Sequence, residues 1–253
     1  MEPTDHHPTR ARPTSAAPDP AGPPADAVAA GGTGEHPLGP HAAQILGVEH
    51  WSLLAARSLI WNEAISRATV FLTVLSAAII ALALLADATG FGPHTTTLAL
   101  VLLPVVFLLG LAAHARLVQI NTEELQLVLA MNRLRHAYLE LEPGLEPYLT
   151  TGHHDDEQGV LATYLLDHPT RQSLGAGFAL VNTPTIVATV DAALAATMVV
   201  LVLQVAEAPQ AATVAAGVTA FLAVWGVLFR LQLHSLRPFH NATPRFPTPP
   251  DLP

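Results

Sequence analysis

Cysteine is absent from the chain, and so is lysine. Without cysteine there is no disulfide, no thiolate metal site and no cysteine nucleophile. All 11 basic residues are arginine, and charged residues make up only 12% of the chain. The net charge of −9 leaves no basic patch of the kind that nucleic acid requires. Catalytic signatures are missing too. There is no G-x-x-x-x-G-K-[ST], G-x-S-x-G or H-E-x-x-H motif and no dinucleotide-binding glycine set. The opening residues, MEPTDHHPTR, are polar and lead into no short apolar run, so no cleavable signal peptide is expected.

What the chain does have is long apolar stretches. Four run for 19 to 22 residues: Ala68–Ala86, Thr95–Ala113, Thr185–Ala206 and Ala211–Phe229. A helix of roughly 20 residues crosses a hydrocarbon core of about 30 Å. The loop after the first stretch holds Asp87 and His94, and the loop after the third holds Glu207; neither has an arginine. Short loops poor in basic residues are exported, while basic flanks stay inside. The reading is an all-α, four-span protein made of two hairpins. Both termini and the middle segment are expected in the cytoplasm of a bacterium, with the plasma (inner) membrane as its site. The lipid bilayer is its first partner.

The connecting regions divide the chain further. Residues 1–40 carry nine prolines and five glycines and are read as a disordered arm. Residues 41–142 read as a long-helix hairpin around the first two spans. One helix begins near Ala42 and continues into the membrane. The other continues beyond Ala113 until Pro143-Gly144. Trp51, Leu54, Trp61 and Ile65 share one helical face. Trp61 is close enough to the membrane boundary to anchor there, whereas Trp51 is expected to pack. Leu127, Met131, Leu134, Tyr138 and Leu141 repeat at 4-3-4-3 spacing, a coiled-coil seam on which the two helix extensions zip together. The same seam alternatively pairs with another copy. Residues 143–183 form a connector with a short helix from about Val160. Residues 184–233 form the second hairpin, and the Pro-rich tail 234–253 is expected to fray. Small residues at Ala188, Ala192 and Ala196, and at Ala212, Ala216, Gly217 and Ala220, suit close packing of spans three and four; Ala215, Thr219 and Ala223 make a second row. Pro104 is placed to bend the second span.

Asp191 is the one acid well inside a span. A carboxylate there costs a few kcal/mol on insertion scales. Its candidate partners are Arg67, His114, Arg116 and Arg230. A buried ion pair that sets helix register is one reading; an ion- or proton-binding carboxylate is the other. Glu63 and Arg67 are spaced for a simple intrahelical pair. The run Gly152-His153-His154-Asp155-Asp156 holds ligand-type side chains, with Asp167, His168 and His136 as possible completions. Neighbouring side chains diverge, so a polar loop is the default and neither metal nor cofactor is expected.

The stretches WNEAISRATVFLTVLSAAIIALALL and NRLRHAYLELEPGLEPYLTTGHHDDEQGV resemble uncharacterised multi-span (four-helix) integral membrane proteins of actinobacteria. The resemblance covers roughly residues 51–160 and the spans after them. It implies a bacterial inner-membrane location and transfers no functional residue. The function expected is non-enzymatic: an interaction, scaffolding or signalling component that self-associates through its cytoplasmic helices. The alternative is a small transporter or channel subunit built on Asp191.

Overall fold

The computed structural model describes residue 39 and residues 41–164, 182–240 and 243–250. The arm expected at 1–40 lies, residue 39 apart, outside these described residues. So do 165–181, the stretch expected to lead the chain back to the bilayer, and with them Asp167 and His168.

Helix α1 spans Ala42–Thr89, 48 residues with no internal proline. It stops at Gly90, whose φ of 75° turns the chain. The Thr95 hydroxyl donates to the Gly90 carbonyl at 3.0 Å and steadies that turn. Helix α2 spans Pro93–Leu141, with Pro93 in its first turn, where no amide is needed. It runs through Pro104 as a single helix and ends just before Pro143. A short 3-10 turn, Pro143–Tyr148, follows. Helix α3, Glu157–Thr163, is capped by Asp156, which accepts from the Gly159 amide at 2.8 Å. Helix α4, Thr183–Val205, has Asn182 as its cap and Pro184 in its first turn. A tight turn through Glu207 leads into α5, Gln210–Ser235, and then the single turn α6, Arg237–His240.

All regular structure among the described residues is helical. Helices α1, α2, α4 and α5 are each long and apolar enough to cross a membrane. The fold is therefore all-α with four spans, as read from the apolar stretches. At 1.5 Å per residue, α1 and α2 are each roughly 72 Å long, more than twice a hydrocarbon core. The excess builds a separate head.

The main packing contacts run in the order α1–α2–α4–α5, which makes α2 and α4 the inner helices and α1 and α5 the outer ones. In the span region Phe71 of α1 is buried against Leu103, Val106 and Leu117 of α2, and Val187 and Leu194 of α4 join the same core. In the head, Leu125, Val128 and Met131 of α2 pack with Val160 and Leu161 of α3 and with Leu236. Gly217 of α5 lets the helix sit close to α4, since a Cβ there would stand 2.7 Å from Val200. Ala188 and Ala192 are buried, while Ala215, Thr219 and Ala223 face outward.

Three expectations change here. Trp51 does not pack within the chain; it is 75% exposed, and Leu54, Trp61 and Ile65 on its face are exposed too. The inward face of α1 is instead the one with Leu53, Ile60, Ala64, Phe71 and Leu75. The extensions of α1 and α2 do pair, but the deepest α2 positions are Leu125, Val128 and Met131; the other seam residues are half-buried. Apolar side chains from α3 and Leu236 compete for α2 and shift its buried line. Finally, residues 243–250 do not fray. They return to the head and are hydrogen-bonded to the loop before α3.

Candidate functional site

Two places hold polar groups in unusual surroundings: a single carboxylate in the spans, and a network in the head.

Asp191 projects from α4 and has 0% exposure. Its carboxylate lies against Gly110 of α2, where a Cβ would overlap it. Glycine at this crossing is what leaves room for the acid. Neither carboxylate oxygen has a hydrogen-bond partner. The expected pairing is therefore not formed. His114, one turn along α2 from Gly110, donates from Nδ1 to the Pro184 carbonyl at 3.0 Å. Arg67 stays with Glu63 of its own helix at 3.5 Å. Arg116 is committed to Glu63 and Glu123. Arg230 is exposed at the far end of α5. The geometric reason is depth: all three arginines sit at the span ends, and Asp191 is two turns further in. A second polar group closes the entry of α4 instead. Gln232 of α5 donates to Asn182 at 3.0 Å and accepts from Thr185 at 3.2 Å.

Glu63 is more than a local intrahelical partner. Arg116 of α2 grips it with two parallel bonds, Nε to Oε1 and Nη2 to Oε2, both 2.9 Å. Arg116 also donates to Glu123 at 2.7 Å. Further along the head, Arg57 pairs with Glu124 at 2.9 Å, and the Tyr138 hydroxyl donates to the Leu46 carbonyl at 3.0 Å. These contacts clamp the α1 and α2 extensions together.

The head has one buried hub, Asn132. Its amide donates to the carbonyls of His154 (2.8 Å) and Gly159 (3.0 Å), and its oxygen accepts from Arg135 and from Thr163, both at 2.8 Å. This holds the 152–159 loop onto α2. Gly152 and Gly159 are each pressed against backbone at that point, so neither admits a side chain. Nothing in the sequence marks Asn132; it sits within the heptad-like run, off its apolar positions.

The loop that follows carries the acids. Asp155 has a side chain with 0% exposure and accepts from Arg133 Nε at 2.7 Å. It also accepts the backbone amides of Arg245 (3.0 Å) and Phe246 (2.7 Å). Burial pushes the Asp155 carboxyl up, but these amides and Arg133 outweigh it and hold the group below its ordinary value. His153 is pushed down, first by burial and then by His154 and His136. The rings of His136, His153 and His154 cluster with centroids 4.2 to 6.3 Å apart. Among the described residues no group of three or more His, Asp or Glu is placed to hold a metal ion.

Comparison of the chain with known protein families, with characterised proteins and with solved structures gives no match.

Proposed function

We propose that this is a non-enzymatic, multi-pass protein of a bacterial plasma (inner) membrane that acts as an interaction or signalling component and self-associates through its cytoplasmic head. One observation carries the reading. The outward face of α1 beyond the span exposes Val48, Trp51, Leu59 and Ile65, at 72%, 75%, 71% and 60%. Lipid covers such residues inside the bilayer; outside it, large apolar groups clustered on one helix face mark a protein contact. A second copy fits best, because its own α1 carries the same face at the same height. A parallel pair across a two-fold axis along the membrane normal satisfies both at once. The arginine-poor loops support the proposed orientation, and the sequence resemblance supports the bacterial location.

The native lack of cysteine makes the test direct. Ser58 lies on the exposed face between Trp51 and Ile65, while Leu53 faces α2. Oxidation of native membranes is expected to link Ser58→Cys into a dimer and to leave Leu53→Cys monomeric. A monomer from both positions overturns self-association through this face.

A second reading, a small transporter or channel subunit, is favoured by one fact: the buried, unpartnered carboxylate of Asp191. With no ion pair to break, Asp191→Asn folds normally on either reading. Loss of proton or cation flux in vesicles on that change supports transport; unchanged flux removes it.

A further inference from the structure

The chain holds its own tail as a bound peptide. After α6, residues 243–250 pass along the head with a bend at Arg245 and Phe246, and the contacts are specific. The Asp155 amide donates to the Phe246 carbonyl at 3.2 Å, while the two oxygens of Asp155 take the amides of Phe246 and Arg245. Asp156 continues the ladder. Its Oδ2 takes the Thr248 amide at 2.6 Å and its Oδ1 the Thr248 hydroxyl at 2.9 Å. Pro247, between them, has no amide to satisfy, and its ring restricts the local backbone. Phe246 stacks on His136 with ring centroids 4.1 Å apart, and Arg245 places its guanidinium 5.4 Å from the same ring. Two carboxylates thus read three main-chain amides and a hydroxyl, and an aromatic platform reads one side chain. This is how peptide-binding surfaces work: main-chain bonds give affinity and a pocket for one side chain gives selectivity.

We propose that the surface formed by His136 and the Asp155-Asp156 turn is a peptide-recognition site, filled here in cis by Arg245–Thr248, for a partner that presents an aromatic-Pro-Thr segment. The tail acts as a tethered competitor. A tethered ligand has an effective concentration in the millimolar range, so a partner must outbid it or catch the site while it is open. This proposal does not depend on self-association through α1, nor on Asp191.

The test is fluorescence anisotropy with a labelled octapeptide of residues 243–250 and detergent-purified protein. The chain shortened to end at residue 242 is expected to bind saturably. The full chain is expected to bind at least about tenfold more weakly, because its own tail competes. Asp156→Asn in the shortened chain is the informative variant. Its carbonyl still caps α3, but its amide now faces the Thr248 amide, donor against donor. Affinity is expected to fall about tenfold or more while α3 stays formed. Should the shortened chain aggregate, the full chain with Phe246→Ala and Thr248→Ala weakens the cis ligand without truncation and carries the same expectation. A folded, monodisperse opened variant that binds no peptide, or binds a scrambled octapeptide equally well, overturns the proposal. So does equal binding by the unaltered full chain.

Discussion

Asp191 and Gly110 show how one residue's chemistry depends on another's lack of a side chain. A buried carboxylate without a donor is costly, and it remains only where the backbone gives it room. Gly110→Ala puts a methyl where the carboxylate lies. Overpacking of this kind costs typically about 1–3 kcal/mol, and thermal melts followed by size-exclusion in detergent are expected to show the loss. The double variant Gly110→Ala with Asp191→Ala restores space and is expected to recover most of it. Equal melting of wild type and Gly110→Ala would show that α2 and α4 are not in register here. Titration gives a second residue-level prediction. His153 is held below its ordinary value by burial and by its histidine neighbours. Its unfolded form then takes up a proton first. Head stability is full above the ordinary histidine value of about 6.5 and falls as pH drops from there to the lowered value. His153→Gln is expected to flatten that stretch of a stability-versus-pH curve. Asp155 acts with the same sign in a lower window. Its carboxyl is held low, so tail docking persists through this range and is lost only at pH below the usual carboxylate value.

At the scale of elements, the head is held by two kinds of contact that differ in weight. Glu63 and Arg116 form a bidentate pair, but both side chains are about one-third exposed. Such solvent-screened pairs contribute little and weaken with salt. Asn132 is fully buried and has four partners, two of them the backbone carbonyls of His154 and Gly159, the latter shared with the Thr163 hydroxyl. Asn132→Ala is expected to cost roughly 3 kcal/mol, since each stranded buried group costs about 1–3. Hydrogen exchange is the measurement. Residues 149–163 are expected to exchange far faster in Asn132→Ala, and near the wild-type rate in Arg116→Ala. The contrast also explains what was legible beforehand. Long helices announce themselves through composition and through the stop at Pro143, so the start of α1 and the end of α2 were readable, while the apolar stretches ended at Ala86 and began at Thr95, short of the helix ends at Thr89 and Pro93. The face that α1 turns inward was not. Trp51 and Ile65 are apolar and correctly spaced, but so are Leu53, Ile60 and Ala64 on another face, and apolarity on two faces does not say which one turns inward. The docked tail was unreadable for a different reason: Pro-rich composition forbids helix and strand, yet says nothing about whether carboxylates elsewhere will take its amides.

The described residues form a row of four spans with a head at one end, and the charges there bear on which way it stands. Arg57, Arg67, Arg116, Arg133, Arg135 and Arg230 all belong to the head end, while the turns at 90–92 and 206–209 at the other end have none. Short loops that carry arginine are retained inside, and acids weigh little in this choice. The head is therefore expected inside. Single cysteines at His94 and Ala208 are expected to react with an impermeant maleimide on intact cells, and one at Glu146 only after lysis. The cysteine-free background makes each signal unambiguous. The reverse pattern would put Trp51 and the Asp155-Asp156 site outside. The partner of each would then be an extracellular one, and a helix face proposed to meet its own copy in the cytoplasm would face a different set of proteins altogether.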